Sequence, residues 1–243
     1  MADPRFFCPI SLPPGQTIRL PDEVSHHIKV LRLVAESTIT LFNGTGGQIS
    51  GQLHFDGKTA LATLGAHHSQ EAELKGQITI WQGLASGEKM DWIVEKCVEI
   101  GVTRIIPIAA QRSVLQLSGS RLDKRVEHWR KIAQAASEQC GRNRLMSVDR
   151  PVSLQQCVSI EKQLSSRLMC DPDATVDMGT LLRAQSSTKA IELLIGPEGG
   201  WNDSETSIAI ASGATAVRYG TRILRTETAG IALASATTAL MNW

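Results

Sequence analysis

No apolar run in the 243 residues comes near the roughly 20 that a membrane-crossing helix needs. The opening Met1-Ala2-Asp3-Pro4-Arg5 has no basic-then-apolar layout, so a secretory leader is not expected. No two of the five cysteines (Cys8, Cys97, Cys140, Cys157, Cys170) stand at C-x-x-C spacing, which argues against a zinc cage or a redox pair and favours reduced thiols. His26 and His27 stand apart from those cysteines, and no metal is expected. Neither sign of charge is in excess, with 25 bases against 24 acids and a net charge of +1. What is present is ordinary for a globular chain: 42% hydrophobic and 20% charged residues exclude disorder as the main theme. The length suffices for a proper core without disulfides or structural metal. These features predict a soluble, cytoplasmic protein.

The near-neutral total hides an uneven distribution. Between Arg112 and Arg150 nine bases face four acids, so this stretch carries +5 and the remainder −4. A basic region on a neutral protein suits a polyanion such as nucleic acid, although a solvated helix face explains charge alone equally well.

The first seventy or so residues read as mostly β. Thr38–Phe42 and Gln48–Phe55 alternate around the turn Asn43-Gly44-Thr45-Gly46-Gly47, and Thr59–Leu64 continues the pattern. One helix precedes them, with Pro21 near its start and Val24, Ile28 and Leu31 on one face. Short strands with Gly-rich turns suggest a small barrel, and His67–Glu71 reads as a linker. From Gln77 the rhythm becomes strand then helix. Ile78–Trp81 is a strand, and Met90, Ile93, Val94, Cys97 and Val98 form a helical stripe closed by Gly101. Arg104–Ala110 completes a βαβ unit and predicts a parallel sheet. A second helix carries Leu122, Val126, Trp129, Ala133 and Ala136. Strands follow at Arg167–Cys170, Ile191–Ile195 and Ala216–Tyr219, then an Ala-rich helix from about Thr226. Asn202 with Glu205 three residues on predicts a capped helix ended by Gly213. The expected division is a β domain over 1–72 and an α/β domain over 73–243.

Three loops follow apolar strands on one side of that sheet: Asp171-Pro172, Gly196-Pro197-Glu198-Gly199-Gly200 and Gly220-Thr221-Arg222. In open α/β sheets ligands bind beyond the carboxyl ends of strands, so the loops are expected to converge. The glycine turn lacks the Gly-Lys-Ser/Thr of a phosphate loop and is not G-x-G-x-x-G, which disfavours a kinase or dehydrogenase. In Arg222-Ile223-Leu224-Arg225-Thr226-Glu227-Thr228, Thr226 suits an N-cap and Glu227 the positive helix end. Arg222 and Arg225 stand against the dipole preference, which points to an anionic ligand or substrate.

The run Leu194–Gly200 followed by Gly220–Ala229 resembles the signature of the ribosomal small-subunit methyltransferase E family, in the SPOUT class of knotted RNA methyltransferases. Gly87-Glu88-Lys89-Met90-Asp91, Lys96–Val102, Gln111-Arg112-Ser113, Glu138–Arg144, His26-His27-Ile28 and Val30-Leu31-Arg32 extend the match in order along the chain. Departures are modest: Asp171 and Asp173 replace a His-Pro-basic stretch, Trp201 a smaller apolar residue, and Thr221 a proline. The resemblance implies a PUA-like β-barrel, a SPOUT-type α/β domain with a trefoil knot, a homodimer, and S-adenosylmethionine as methyl donor. It implies N3 of a uridine near the decoding centre of 16S rRNA, naked or in the assembled small subunit, as the target. A non-catalytic RNA-binding module would not need the intact loops.

On that basis the cofactor residues are expected to be Leu168, Met169, Ile195, Gly196, Glu198, Gly199, Gly200, Tyr219, Gly220, Ile223, Leu224 and Arg225. Leu168, Met169, Ile195 and Leu224 serve equally as plain core. Methylating uridine N3 requires a proton acceptor and a group that stabilises charge spreading onto the base carbonyls. Glu227 and Arg225 suit these catalytic roles, with Glu198 as the other possible base or as a brace of its turn. Phosphate contacts are expected from Arg5, Arg32, Lys89, Arg112, Arg142 and Arg144.

Overall fold

The computed structural model describes residues 3–57, 59–161, 166–185 and 187–243. The chain forms two compact units, Met1–Glu73 with Ser137–Leu145, and Leu74–Ala136 with Met146–Trp243.

The first unit contains β1 (Arg5–Phe7), β2 (Thr17–Arg19), α1 (Asp22–Val30), β3 (Thr38–Phe42), β4 (Gln48–Asp56) and β5 (Thr59–His68). Its strands pair in the order β1-β3-β4-β5-β2, antiparallel except for β1 on β3. Alternation places Ile39, Leu41, Ile49, Leu53, Ala60, Ala62 and Leu64 in the core, where Val24 and Ile28 of α1 join them. The segment Ser137–Leu145 belongs here because its polar groups are spent on this unit. Glu138 accepts the Phe7 N–H at 2.9 Å, and Asn143 accepts from Arg5 at 2.8 Å and donates to the Gln70 carbonyl at 2.8 Å.

The second unit follows as β6 (Gln77–Gly83), α2 (Lys89–Glu99), β7 (Arg104–Ile108), α3 (Gly119–Cys140), β8 (Ser147–Val148), α4 (Leu154–Ile160), β9 (Ser166–Cys170), α5 (Met178–Ala184), β10 (Ala190–Ile195), α6 (Asp203–Ala211), β11 (Thr215–Val217) and α7 (Thr226–Met241). The last turn of α3 falls within the first unit's residues. Six strands form a wholly parallel sheet in the order β11-β9-β10-β6-β7-β8. β10, late in the chain, lies between β9 and β6, which makes this the switch point where neighbouring strands diverge. The run Ile191–Ile195 is buried, as a strand covered on both faces requires. Its one charge, Glu192, meets buried Arg167 at 2.6 Å, and that guanidinium lies 4.3 Å over the Trp81 ring.

The α2 stripe Met90, Ile93, Val94, Cys97 and Val98 is buried as its spacing predicts, and Gly101 follows at φ +88°. Asn202 and Glu205 form the expected capping box on α6. Two expectations change. Arg225, not Thr226, occupies the cap position of α7, and it makes no side-chain capping bond. The strand expected over Ala216–Tyr219 is instead Thr215–Val217, because Arg218 turns to bond the β9–α5 connection, its N–H reaching the Val176 carbonyl and its carbonyl accepting from Met178. Among the described residues no helix is long and apolar enough to cross a membrane.

Candidate functional site

The loops leaving β9, β10 and β11 at their carboxyl ends converge within the second unit on a cavity of about 860 Å³. The β9 loop supplies Asp171, Pro172 and Asp173, the β10 loop Gly196, Pro197, Glu198, Gly200 and Trp201, and the approach to α7 supplies Ile223 to Glu227. Lys89 enters from the first turn of α2. Five carboxylates (Asp171, Asp173, Glu198, Asp203, Glu227) and two cations (Lys89, Arg225) line the space, together with the apolar Met169, Ile195, Trp201, Ile223 and Leu224. Such a lining attracts a cationic ligand with an apolar body and repels a polyphosphate. Two buried polar atoms of lining residues, Trp201 Nε1 and Glu227 Oε2, have no hydrogen-bond partner among the described residues.

Tight backbone approach builds these walls. A Cβ on Gly83, at the end of β6, would stand 2.4 Å from the Pro197 nitrogen, so the β10 loop sits directly against β6. Thr226 Oγ1 donates to the Gly196 carbonyl at 2.6 Å and accepts from buried Gln82 Nε2 at 2.9 Å. Thr226 thus stitches strand, glycine turn and α7 together instead of capping. Gln82 and Gly83 carried no signal in the sequence beyond their position at a strand end.

Of the expected cofactor residues, Met169, Ile195, Gly196, Glu198, Gly200, Ile223, Leu224 and Arg225 line the cavity. Leu168 lies in the core with no exposure. Gly199 packs on Arg112, whose Cβ would be 2.9 Å from an added Cβ. Tyr219 and Gly220 lie on the path into α7 without lining the cavity, Gly220 at φ +70°. Gly200, at φ +67°, has open space where a Cβ would go.

Glu198 Oε1 accepts from the Ser86 N–H at 3.0 Å, the Ser86 hydroxyl at 2.7 Å and Lys89 Nζ at 2.9 Å. Burial works against its charge, yet these donors bring its carboxyl down to about 2. So strong an acid is a poor base near neutrality, and Glu198 braces its turn. The stabilisation is fully present above the ordinary carboxylate value of about 4.3 and is lost as pH falls toward about 2. The melting-temperature advantage of the wild type over Glu198→Gln should therefore narrow between about pH 5 and pH 2. A gap independent of pH would contradict the brace.

Glu227 is the contrasting carboxylate. Its side chain is 17% exposed, Oε2 lies 3.7 Å from Lys89 Nζ, and Oε1 lies 4.0 Å from the guanidinium of Arg225. Arg225 itself is 83% exposed. Carboxylate and guanidinium thus stand side by side at the lip of the cavity, one sheltered and one open.

The residues expected to meet phosphate are scattered by the structure. Arg142 is 3% exposed and clamped by Glu73 at 2.6 and 2.9 Å, so its charge is spent inside the first unit. Arg5 bonds Gln48 and Asn143 and lies 5.2 Å over the Phe42 ring, and burial lowers its pKa. Arg144 is half-exposed and 3.6 Å from Glu71. Arg32 is exposed, at φ 56° beyond α1. Arg112 donates to the Gly199 and Trp201 carbonyls, and Lys89 lines the cavity, so both serve the glycine turn.

Residues 72–238 match the model of an RNA methyltransferase domain, and residues 20–64 that of an RNA methyltransferase PUA domain. A ribosomal RNA small subunit methyltransferase E from a Synechocystis strain is 33% identical over 88% of this chain and 70% of its own length. The protein of the same name from Buchnera aphidicola, associated with Acyrthosiphon pisum, is 28% identical over 94% and 90%. A crystal structure of a ribosomal RNA small subunit methyltransferase E from Neisseria gonorrhoeae, bound to S-adenosyl methionine, superposes with a TM-score of 0.91 at 34% identity over 98% of both chains. A Legionella pneumophila structure, in complex with the same cofactor, superposes at 0.86 with 28% identity over 98% of both. By sequence and by fold, this chain belongs to the ribosomal RNA small subunit methyltransferase E family of RNA methyltransferases.

Proposed function

We propose that the cavity binds S-adenosylmethionine and that the chain methylates N3 of a uridine in 16S rRNA, near the decoding centre of the small ribosomal subunit. The observation that carries this reading is the acidic, glycine-walled cavity with the sheltered Glu227 Oε2, which accepts no hydrogen bond among the described residues and lies 3.7 Å from Lys89 Nζ. The donor set fits the cofactor. A sulfonium and an ammonium outweigh one carboxylate, so the ligand is a net cation that five lining carboxylates favour, and the apolar lining suits an adenine ring. Bound there, the cofactor supplies an electrophilic methyl on sulfur. Gly196, Gly200 and their neighbours hold it through backbone groups, and Ile223 and Leu224 shield it from water.

The remaining chemistry belongs to the side chains. Uridine N3 must lose its proton before it can attack. Glu227, sheltered and without a hydrogen-bond donor on Oε2, accepts that proton. Arg225, exposed at the same lip, donates hydrogen bonds to the uracil carbonyl oxygens as negative charge spreads onto them. Positioning the base beside the cavity contributes the rest.

Three further features complete the reading. The insertion of β10 between β9 and β6 supports a trefoil-knotted path for the second unit. Ala232, Ser235, Ala236 and Ala239 of α7 retain exposure and are small enough for close helix approach, which supports a homodimer. Light scattering at micromolar concentration should return twice the chain mass, and a monomer would remove the dimer from the account. A ribosomal substrate supports a cytoplasmic location. The reading as a whole is tested by methyl incorporation from labelled S-adenosylmethionine into small subunits and into naked 16S rRNA. Recovery of labelled 3-methyluridine is expected, and label on ribose or on another base would overturn it.

A further inference from the structure

The cavity is too acidic to draw a phosphodiester chain toward itself, and Arg5 and Arg142 are committed to partners within the first unit. Exposed positive charge in the second unit lies at Arg222 and Arg225 on the approach to α7 and, as a separate cluster, on the outer face of α3. Arg121, Lys124 and Lys131 are exposed there, and among the described residues none has a hydrogen-bond or ion-pair partner. Lys124 and Lys131 are two helical turns, about 10 Å, apart on one face. They border a shallow groove of about 620 Å³ that Arg130 and Arg150 also line. Both arginines are tethered: Arg130 Nε donates to the Val148 carbonyl at 3.2 Å, and Arg150 pairs with Asp123. Only Asp123 and Glu127 oppose this charge among the residues lining the groove, and Asp123 is already paired.

We propose that this α3 groove is a docking surface for the phosphate backbone of the rRNA substrate, distinct from the methyl-transfer cavity. The inference rests on the reading of the chain as an rRNA methyltransferase. Its logic is electrostatic: an acidic reaction cavity holds the cationic cofactor, and a cationic face on the same unit carries the anionic substrate. Two ammonium groups this far apart meet different phosphates, and the tethered guanidiniums are already oriented, so little ordering is needed on binding.

The test compares two triple variants of equal charge change. One carries Arg121→Gln, Lys124→Gln and Lys131→Gln. The other carries Lys75→Gln, Arg183→Gln and Lys189→Gln, exposed positions of the same unit that are not part of α3 or of the groove lining. Binding to a 16S rRNA fragment is measured across salt concentrations, with S-adenosylmethionine binding by calorimetry as the control for folding. The α3 variant should lose about 2 from the slope of log K against log salt, roughly 0.7 for each single-stranded phosphate contact, and keep wild-type cofactor affinity. The control variant should keep the wild-type slope. Equal slopes for the two variants, or a wild-type slope for the α3 variant, would overturn the proposal. So would selective loss of binding to a polyglutamate peptide with RNA binding intact, which would assign the groove to an acidic protein. Failure of the wild-type chain to bind or methylate the RNA at all would instead remove the underlying reading.

Discussion

Glu227→Gln should lower methyl transfer by about 10²–10⁴-fold near neutral pH, the usual contribution of a positioned proton acceptor. The substitution preserves size and leaves the α7 backbone undisturbed. Glu227 is the acid in the first turn of α7, so losing its interaction with the helix dipole should cost only about 0.3–1 kcal/mol of stability. The large activity loss and the small stability loss therefore separate chemistry from scaffolding. Activity should recover in part as pH rises, because more of the uridine is then already ionised. Arg225→Ala should show a loss of about 10²–10³-fold, as expected on removing a donor to a developing oxyanion, with no recovery at high pH. Its 83% exposure predicts almost no change in melting temperature. Full activity of Glu227→Gln at every pH would take it out of the mechanism.

Gly200→Val should weaken S-adenosylmethionine binding by about ten- to a hundredfold while the chain remains folded. The backbone there is at φ +67°, where a β-branched residue costs about 1–3 kcal/mol. Relief of that strain moves the turn away from its binding shape, and the ligand must then restore it, at tenfold in affinity per about 1.4 kcal/mol. Beyond its chain neighbours nothing lies within 4 Å of a Cβ at Gly200, so the expected effect comes from backbone conformation and not from a Cβ clash. Gly199→Val is the useful contrast, since its Cβ collides with Arg112 and would displace the arginine that fastens the turn. Calorimetry on both variants reads the difference. Unchanged affinity in folded Gly200→Val would dissociate the turn from the cofactor.

Local signals were legible in the sequence, and distant pairings were not. The α2 stripe and the Asn202–Glu205 box depend on neighbours three or four residues away, so spacing alone announces them. The glycine turn after β10 and the Arg225–Glu227 segment at the start of α7 are likewise visible as local motifs, and both line the cavity. The burial of Arg142 is invisible in the sequence because its partner, Glu73, is 69 positions away, and a run of bases does not say which are already paired. Lys89 looked like a surface cation, yet it meets Glu198 across 109 positions. The order β9-β10-β6 is equally silent, since strand spacing does not determine which neighbours a late strand separates. The helices α4 and α5, seven residues each, are too short to impose a recognisable period.

The central claim is that this chain places a methyl on N3 of a uridine in 16S rRNA. Mass mapping of 16S rRNA from cells with and without the protein tests it most directly. The account predicts one uridine, near the decoding centre, that carries a base methyl on N3 when the protein is present and none when it is absent. The same nucleotide should stay unmethylated when the chain carries Glu227→Gln. An identical modification map in both cells, or a protein-dependent methyl on a ribose or on a base other than uracil, would contradict it.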